Sequence, residues 1–176
     1  MADREPTETT NLDRYGYPPI PWSRPHALLA VGSPGVETPF FLGTVRPDGR
    51  PHAAGIGVDW SGGDLYITSS PGTQKSRNLA ANPAATISTK LEGIDLILEG
   101  EARRVTDRPT LERVVKVFQN GGWPAEVEGD AFTAPYSAPS AGPPPWHVFR
   151  FRFDTAFGVA TAEPYGATRW RFEGDA

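Results

Sequence analysis

Short apolar runs bounded by turn residues dominate the chain from residue 40 onward. The run FFLGTV ends at RPDGR, whose Pro, Asp and Gly predict a tight reversal. A returning strand is predicted over 51–60, and after WSGGD another over 64–69. The pattern then lengthens to a short helix over 73–81, closed by Asn82 and Pro83. Strands are predicted over 84–91 and 94–105 around the Glu92-Gly93 turn. Thr106 or Asp107 can cap a helix over 110–119. Near the end, 147–154, 156–161 and 168–172 read as further strands. Closely spaced antiparallel strands with a few small helices predict a mainly β fold, a barrel with helices at its margins.

Proline and glycine, 19 of each, gather in the N-terminal arm, the turns and one long loop. Residues 1–13 are expected to be loose, followed by a single domain over 14–176. Tyr15, Tyr17, Ile20 and Trp22 anchor an extended arm, and Ser23 is expected to cap a short helix. The loop at about 119–146 is long for a compact domain. It carries Trp123, Phe132 and Tyr136, so an ordered lid or pocket wall is expected in preference to a disordered excursion.

Length and charge then narrow the classes. A chain of 176 residues suits one domain with a real core. A net charge of -4 gives no overall attraction to nucleic acid or an anionic membrane. Cysteine is absent, which removes disulfides and thiol chemistry. Three histidines, His26, His52 and His147, are scattered and suggest no metal cluster. The polar start has neither a signal peptide's apolar core nor a spanning segment, so a cytoplasmic protein is expected.

The segment LYITSSPGTQKSRNLAANP carries the candidate chemistry. A strand ends in Thr68, Ser69 and Ser70, and the next helix opens with Lys75, Ser76 and Arg77. A helix N-terminus is the positive end of the dipole and disfavours cations. A bound phosphate reverses that cost and accepts bonds from free N–H groups and from the hydroxyls of Ser69, Ser70, Thr73 and Ser76. The alternative is a solvated basic turn. On the strand before it, Ala53, Gly55 and Gly57 share one face, with Gly43 expected opposite Ala53. That bare strip suits either a flat ring against the backbone or the coiling of a small barrel.

These stretches together, VRPDGRPHAAGIGV, DLYITSS and GTQKSRNLAANPAATIS, resemble the pyridoxamine 5'-phosphate oxidase-like superfamily of flavin-binding split barrels. The strands HVFRFRFDTAFGVAT and the tail EPYGATRWRF are similar to its actinobacterial deazaflavin-dependent branch. The resemblance implies an antiparallel, Greek-key-like split β-barrel and a homodimer with cofactor sites at the shared interface. It matches Lys75, Arg77, Ser69, Ser70 and Ser76 to phosphate-binding positions, and His52, Ala53 and Ala54 to positions beside the ring. Thr68 matches a third-strand contact, and Arg169 and Trp170 reach the site from the tail. The substrate-phosphate signature of true pyridoxamine phosphate oxidases is missing, which argues against vitamin B6 oxidation.

The implied cofactor is coenzyme F-420, an 8-hydroxy-5-deazaflavin, with FMN as the alternative. The implied activity is hydride transfer to an electron-poor double bond of a small organic or polyketide-type substrate. An FMN-dependent oxidase or reductase is the alternative, and a non-catalytic flavin or ligand carrier is a reading from another class. Cofactor-borne chemistry suits a chain with no evident catalytic cluster. Tyr136 is the candidate proton donor, its other role being a packed anchor. Glu99 and Glu101 share a strand face with Arg103, which suits ion pairing better than paired-carboxylate hydrolysis.

Overall fold

The computed structural model describes residues 4–31, 37–136 and 142–174. In chain order the elements are β1 (Glu8–Asn11), α1 (Ser23–Leu29), β2 (Phe40–Val45), β3 (Pro51–Ile56), β4 (Asp59–Ser61), β5 (Asp64–Ser69) and α2 (Gln74–Ala81). They continue with β6 (Ala84–Leu91), β7 (Ile94–Val105), α3 (Arg108–Asn120), β8 (Glu126–Glu128), β9 (Ala131–Thr133), β10 (His147–Ala160) and β11 (Ala167–Arg171). The fold is the antiparallel split barrel, with three small helices at its margins.

The main sheet runs β1-β11-β10-β7-β6-β2-β3, and β5 with β4 branches from β10. The split lies in β10. Its first half pairs with β5 and its second half with β11, while β7 follows its other side throughout. A bulge at Asp154, between Phe153 and Thr155, divides the halves. The two runs predicted on either side of Thr155 are therefore one bent strand. Gly100 stands opposite the bulge, where a Cβ would run into the carbonyl of Arg152.

Local chemistry explains the turns. Arg46 N–H donates to the Arg50 carbonyl and Gly49 N–H to that of Arg46, both at 2.9 Å. Gly49 takes φ +84°, which only glycine adopts at little cost. Gly43 then falls opposite Ala53, as the turn residues imply. The strand predicted over 51–60 breaks at Gly57 and Val58, so β3 and β4 are separate elements. The Asp107 carboxylate caps α3 by accepting from Thr110 N–H at 3.0 Å.

Inside the barrel, Leu42, Leu65, Ile67, Ile87, Leu96, Leu98 and Phe151 are fully buried. At one end Trp22, Trp170, Phe153 and Phe172 pack edge-on or tilted, with centroids 4.8–5.8 Å apart. Such ring pairs add roughly 0.5–1.5 kcal/mol each beyond the area that they bury.

Two local expectations change. The segment expected to be loose contains β1, zippered to β11 in register Glu8↔Arg171 through Asn11↔Thr168. Arg169 and Arg171 on β11 meet the Glu8 carboxylate and reward that pairing. Ser23 is the first residue of α1 and not its cap. Trp22 occupies the cap position and supplies no side-chain bond, because its ring belongs to the core. The long loop is ordered through Tyr136: Trp123 packs on Phe118 and Trp146, and the β8–β9 hairpin is bridged to Trp146. The part of that loop at 137–141 lies outside the described residues.

Candidate functional site

The site is built where β5 hands over to α2. Ser69 ends β5, Pro71 and Gly72 turn the chain, and Thr73 caps α2 by accepting from Ser76 N–H at 3.3 Å. The N–H groups of Gln74 and Lys75 then have no helical partner. Around them the hydroxyls form a tight knot. Ser69 Oγ and Thr73 Oγ1 are 2.7 Å apart, and Ser76 Oγ lies 2.9 Å from Ser69 Oγ and 2.8 Å from the Ser70 carbonyl. Ser69 is only 1% exposed and Ser76 5%. These two hydroxyls are thus turned inward and brace the turn. The Ser70 and Thr68 hydroxyls remain available.

Lys75 is half-buried, and no carboxylate of the described residues pairs with it. Burial pushes its ammonium below the ordinary lysine range. Arg77 is exposed but folds back, donating to the Gly72 carbonyl at 2.6 Å and to Gln74 Oε1 at 3.0 Å. Structure therefore separates two cations that the sequence treats alike.

Beside the turn lies β3, an edge strand bonded only to β2. Continuing the ladder from the Arg46–Arg50 bond, the main chains of His52 and Ala54 face β2 and those of Ala53 and Gly55 face the free edge. A Cβ at Gly55 or Gly57 would meet nothing within 4 Å. Bare backbone and an unpaired edge therefore lie together on β3. The His52 side chain is half-buried on the opposite face, with Thr44.

Two residues that the sequence singles out stand elsewhere. Trp170 is fully buried, donates to the Ile20 carbonyl at 3.2 Å, and fills the space that Gly158 leaves. It is a core residue of this chain and not a cofactor contact. Tyr136 is 44% exposed and leans on Trp146, which precedes His147, the partner of Ser69 across β10 and β5. Burial and the nearby Arg104 lower the His147 imidazole below its ordinary value, with Asp130 opposing. Glu101 pairs with Arg103 at 2.7 Å.

Sequence reasoning missed Thr44, Gln74 and Asn78. Asn78 is fully buried, and its amide donates to Thr44 Oγ1 at 2.9 Å. The available signal was a polar residue on the helix face that also carries Leu79. Also missed was a cavity of about 430 Å³ on β7 and β10, lined by Arg4, Arg103, Arg150 and Arg152 with Glu101 and Asp154.

Residues 36–160 match the family model described as pyridoxamine 5'-phosphate oxidase. The chain belongs to the pyridoxamine 5'-phosphate oxidase family. Solved structures of similar fold bear this out for the architecture. An F-420 reductase shares 24% identity at TM-score 0.50, over 82% of this chain and 98% of that one. General Stress Protein 26 from Bacillus anthracis shares 17% at TM-score 0.51, over 76% and 89%. A pyridoxamine 5'-phosphate oxidase-related, FMN-binding protein from Nostoc punctiforme shares 15% at TM-score 0.51, over 78% and 86%. No curated protein matches the chain. The candidate site of this pyridoxamine 5'-phosphate oxidase family member thus sits on a split barrel.

Proposed function

We propose that this chain binds a phosphate-bearing deazaflavin, coenzyme F-420, and serves as a reductase of electron-poor double bonds in a small organic substrate. The observation that carries the reading is Lys75, a partly desolvated cation without a carboxylate partner at the opening of α2. Its burial is unfavourable unless an anion sits beside it, and the adjacent free N–H groups suit a phosphate. Lys75, the N–H groups of Gln74 and Lys75, and the Ser70 hydroxyl would hold that group. The free edge at Ala53 and Gly55 would orient the ring.

When bound, a flavin or deazaflavin supplies the hydride. The protein's own tasks are orientation, exclusion of water and delivery of a proton. The Tyr136 Oη, exposed at the barrel end where His147 meets Ser69, is the proton donor that the described residues offer. FMN on the same turn is the second reading. F-420 is put first because the similar F-420 reductase is covered over 98% of its length.

In this reading two copies form a homodimer. The supporting feature is an open apolar row across the outer face, Gly55, Phe41, Ser88, Ile97 and Phe157 in register, with Phe41 50% exposed.

Titration with FMN and with F-420 tests the assignment. Lys75→Ala should weaken both by roughly 1.5–3 kcal/mol, about 10- to 150-fold, as expected for one charge-assisted contact. Arg77→Ala should weaken them less, because its guanidinium must first leave Gly72 and Gln74. Equal affinity in wild type and Lys75→Ala would remove the phosphate site.

A further inference from the structure

A directed chain of hydrogen bonds links Arg77 to His52. A guanidinium can only donate, so the Gln74 atom 3.0 Å from Arg77 Nη2 is the amide oxygen. Gln74 Nε2 therefore faces Asn78 Oδ1, at 2.7 Å. Asn78 must in turn present Nδ2 to Thr44 Oγ1, at 2.9 Å. Thr44 Oγ1 accepts that bond and has one hydrogen of its own. The nearer acceptor is the His52 carbonyl at 3.3 Å, and His52 Nδ1 lies at 3.5 Å. With its hydrogen on the carbonyl, Thr44 meets Nδ1 through a lone pair, an arrangement that favours the proton on Nδ1.

We propose that Asn78 is a positioning residue that acts through Thr44 to hold neutral His52 in the Nδ1–H tautomer, the form that free histidine disfavours. Each amide in the chain is prevented from flipping by the fixed polarity of Arg77 at its head. Nε2 is then left as an acceptor on the Thr44 face of β3, opposite the bare face of Ala53 and Gly55. The relay also ties the opening turn of α2 to β3, so the two halves of the site keep a fixed separation. That functional consequence rests on the flavin-site reading above, whereas the tautomer does not.

Nitrogen-15 NMR of histidine-labelled apoprotein, at a pH well above the ordinary histidine value of about 6.5, reads the tautomer directly. The chain has only three histidines, and His52→Gln assigns the resonance. His52 should be mainly Nδ1–H in wild type and in Thr44→Ser. It should shift to mainly Nε2–H in Thr44→Val and in Asn78→Ala. Unmoved His26 and His147 signals report an intact fold. Where Asn78→Ala does not fold, Gln74→Ala, at the half-buried end of the relay, should give a mixture of tautomers. A wild-type Nε2–H tautomer overturns the proposal, and so does an Nδ1–H tautomer that no relay variant changes. FMN titration of the same samples should show roughly tenfold weaker binding in Thr44→Val, the scale of one lost hydrogen bond. If wild type binds neither FMN nor F-420 while the tautomer behaves as expected, the relay stands and the flavin reading fails.

Discussion

Lys75 and Arg77 stand two residues apart on one helical turn and meet different surroundings. The Arg77 guanidinium already has two acceptors within the chain, whereas the Lys75 ammonium has burial and no counter-charge. Burial lowers its pKa, so the folded apoprotein gives up this proton below the ordinary lysine range. A bound phosphate favours the charged form and raises the pKa again. Cofactor affinity should therefore fall as pH rises toward and through the free Lys75 pKa, and Lys75→Gln should be weaker but flat over that window. Linkage gives the opposite sign for apoprotein stability: the unfolded chain holds more protons there, so stability should rise with pH up to the ordinary lysine value. Fluorescence titration across the alkaline range checks both. The basic turn was legible because two cations at a helix N-terminus violate the dipole preference. The inward rotation of the Ser69 and Ser76 hydroxyls was not legible, because it depends on where β5 ends relative to the cap. Nor was the burial of Trp170, whose space exists only because Gly158 faces it from the neighbouring strand.

At the scale of elements, β2, β5, β6 and β7 were legible to the residue, since each is an apolar run stopped by turn chemistry that local sequence contains. The break between β3 and β4, the short β8–β9 hairpin and the bend in β10 were not. They arise from long-range closure, in which one strand must leave β5 and join β11. Two glycines separate the resulting constraints. Gly100 faces the Asp154 bulge with no room for a Cβ against the Arg152 backbone. Gly100→Ala should cost about 1–3 kcal/mol in urea unfolding, the usual range for overpacking. Gly55 faces open space, and a β-branched side chain suits a strand. Gly55→Val should leave stability unchanged or slightly raised while weakening cofactor binding. Loss of stability in Gly55→Val, or none in Gly100→Ala, would contradict this division between a packing glycine and a ligand-facing one.

For the whole molecule, the outer sheet face bears on assembly. Phe41, Ile97 and Val159 are each about half exposed on that face. Ile97→Glu should convert a dimer to a monomer in sedimentation velocity and lower cofactor affinity, with circular dichroism unchanged. A wild-type monomer that binds cofactor at full affinity would remove the second copy from the site. The barrel class was legible from strand spacing alone, but the addition of the chain's first strand at the sheet edge was not, because polar residues 4–11 carry no apolar pattern. That pairing brings residues 4–7 beside residues 171–173: the Arg4 side chain donates to the Glu173 carbonyl, and Thr7 N–H to that of Arg171. A brief glycine-serine bridge across this corner would make a ring-closed backbone, which reopened at the Asp48-Gly49 reversal should still refold. A donor and an acceptor dye placed at residues 4 and 173 would read whether that seam is zipped.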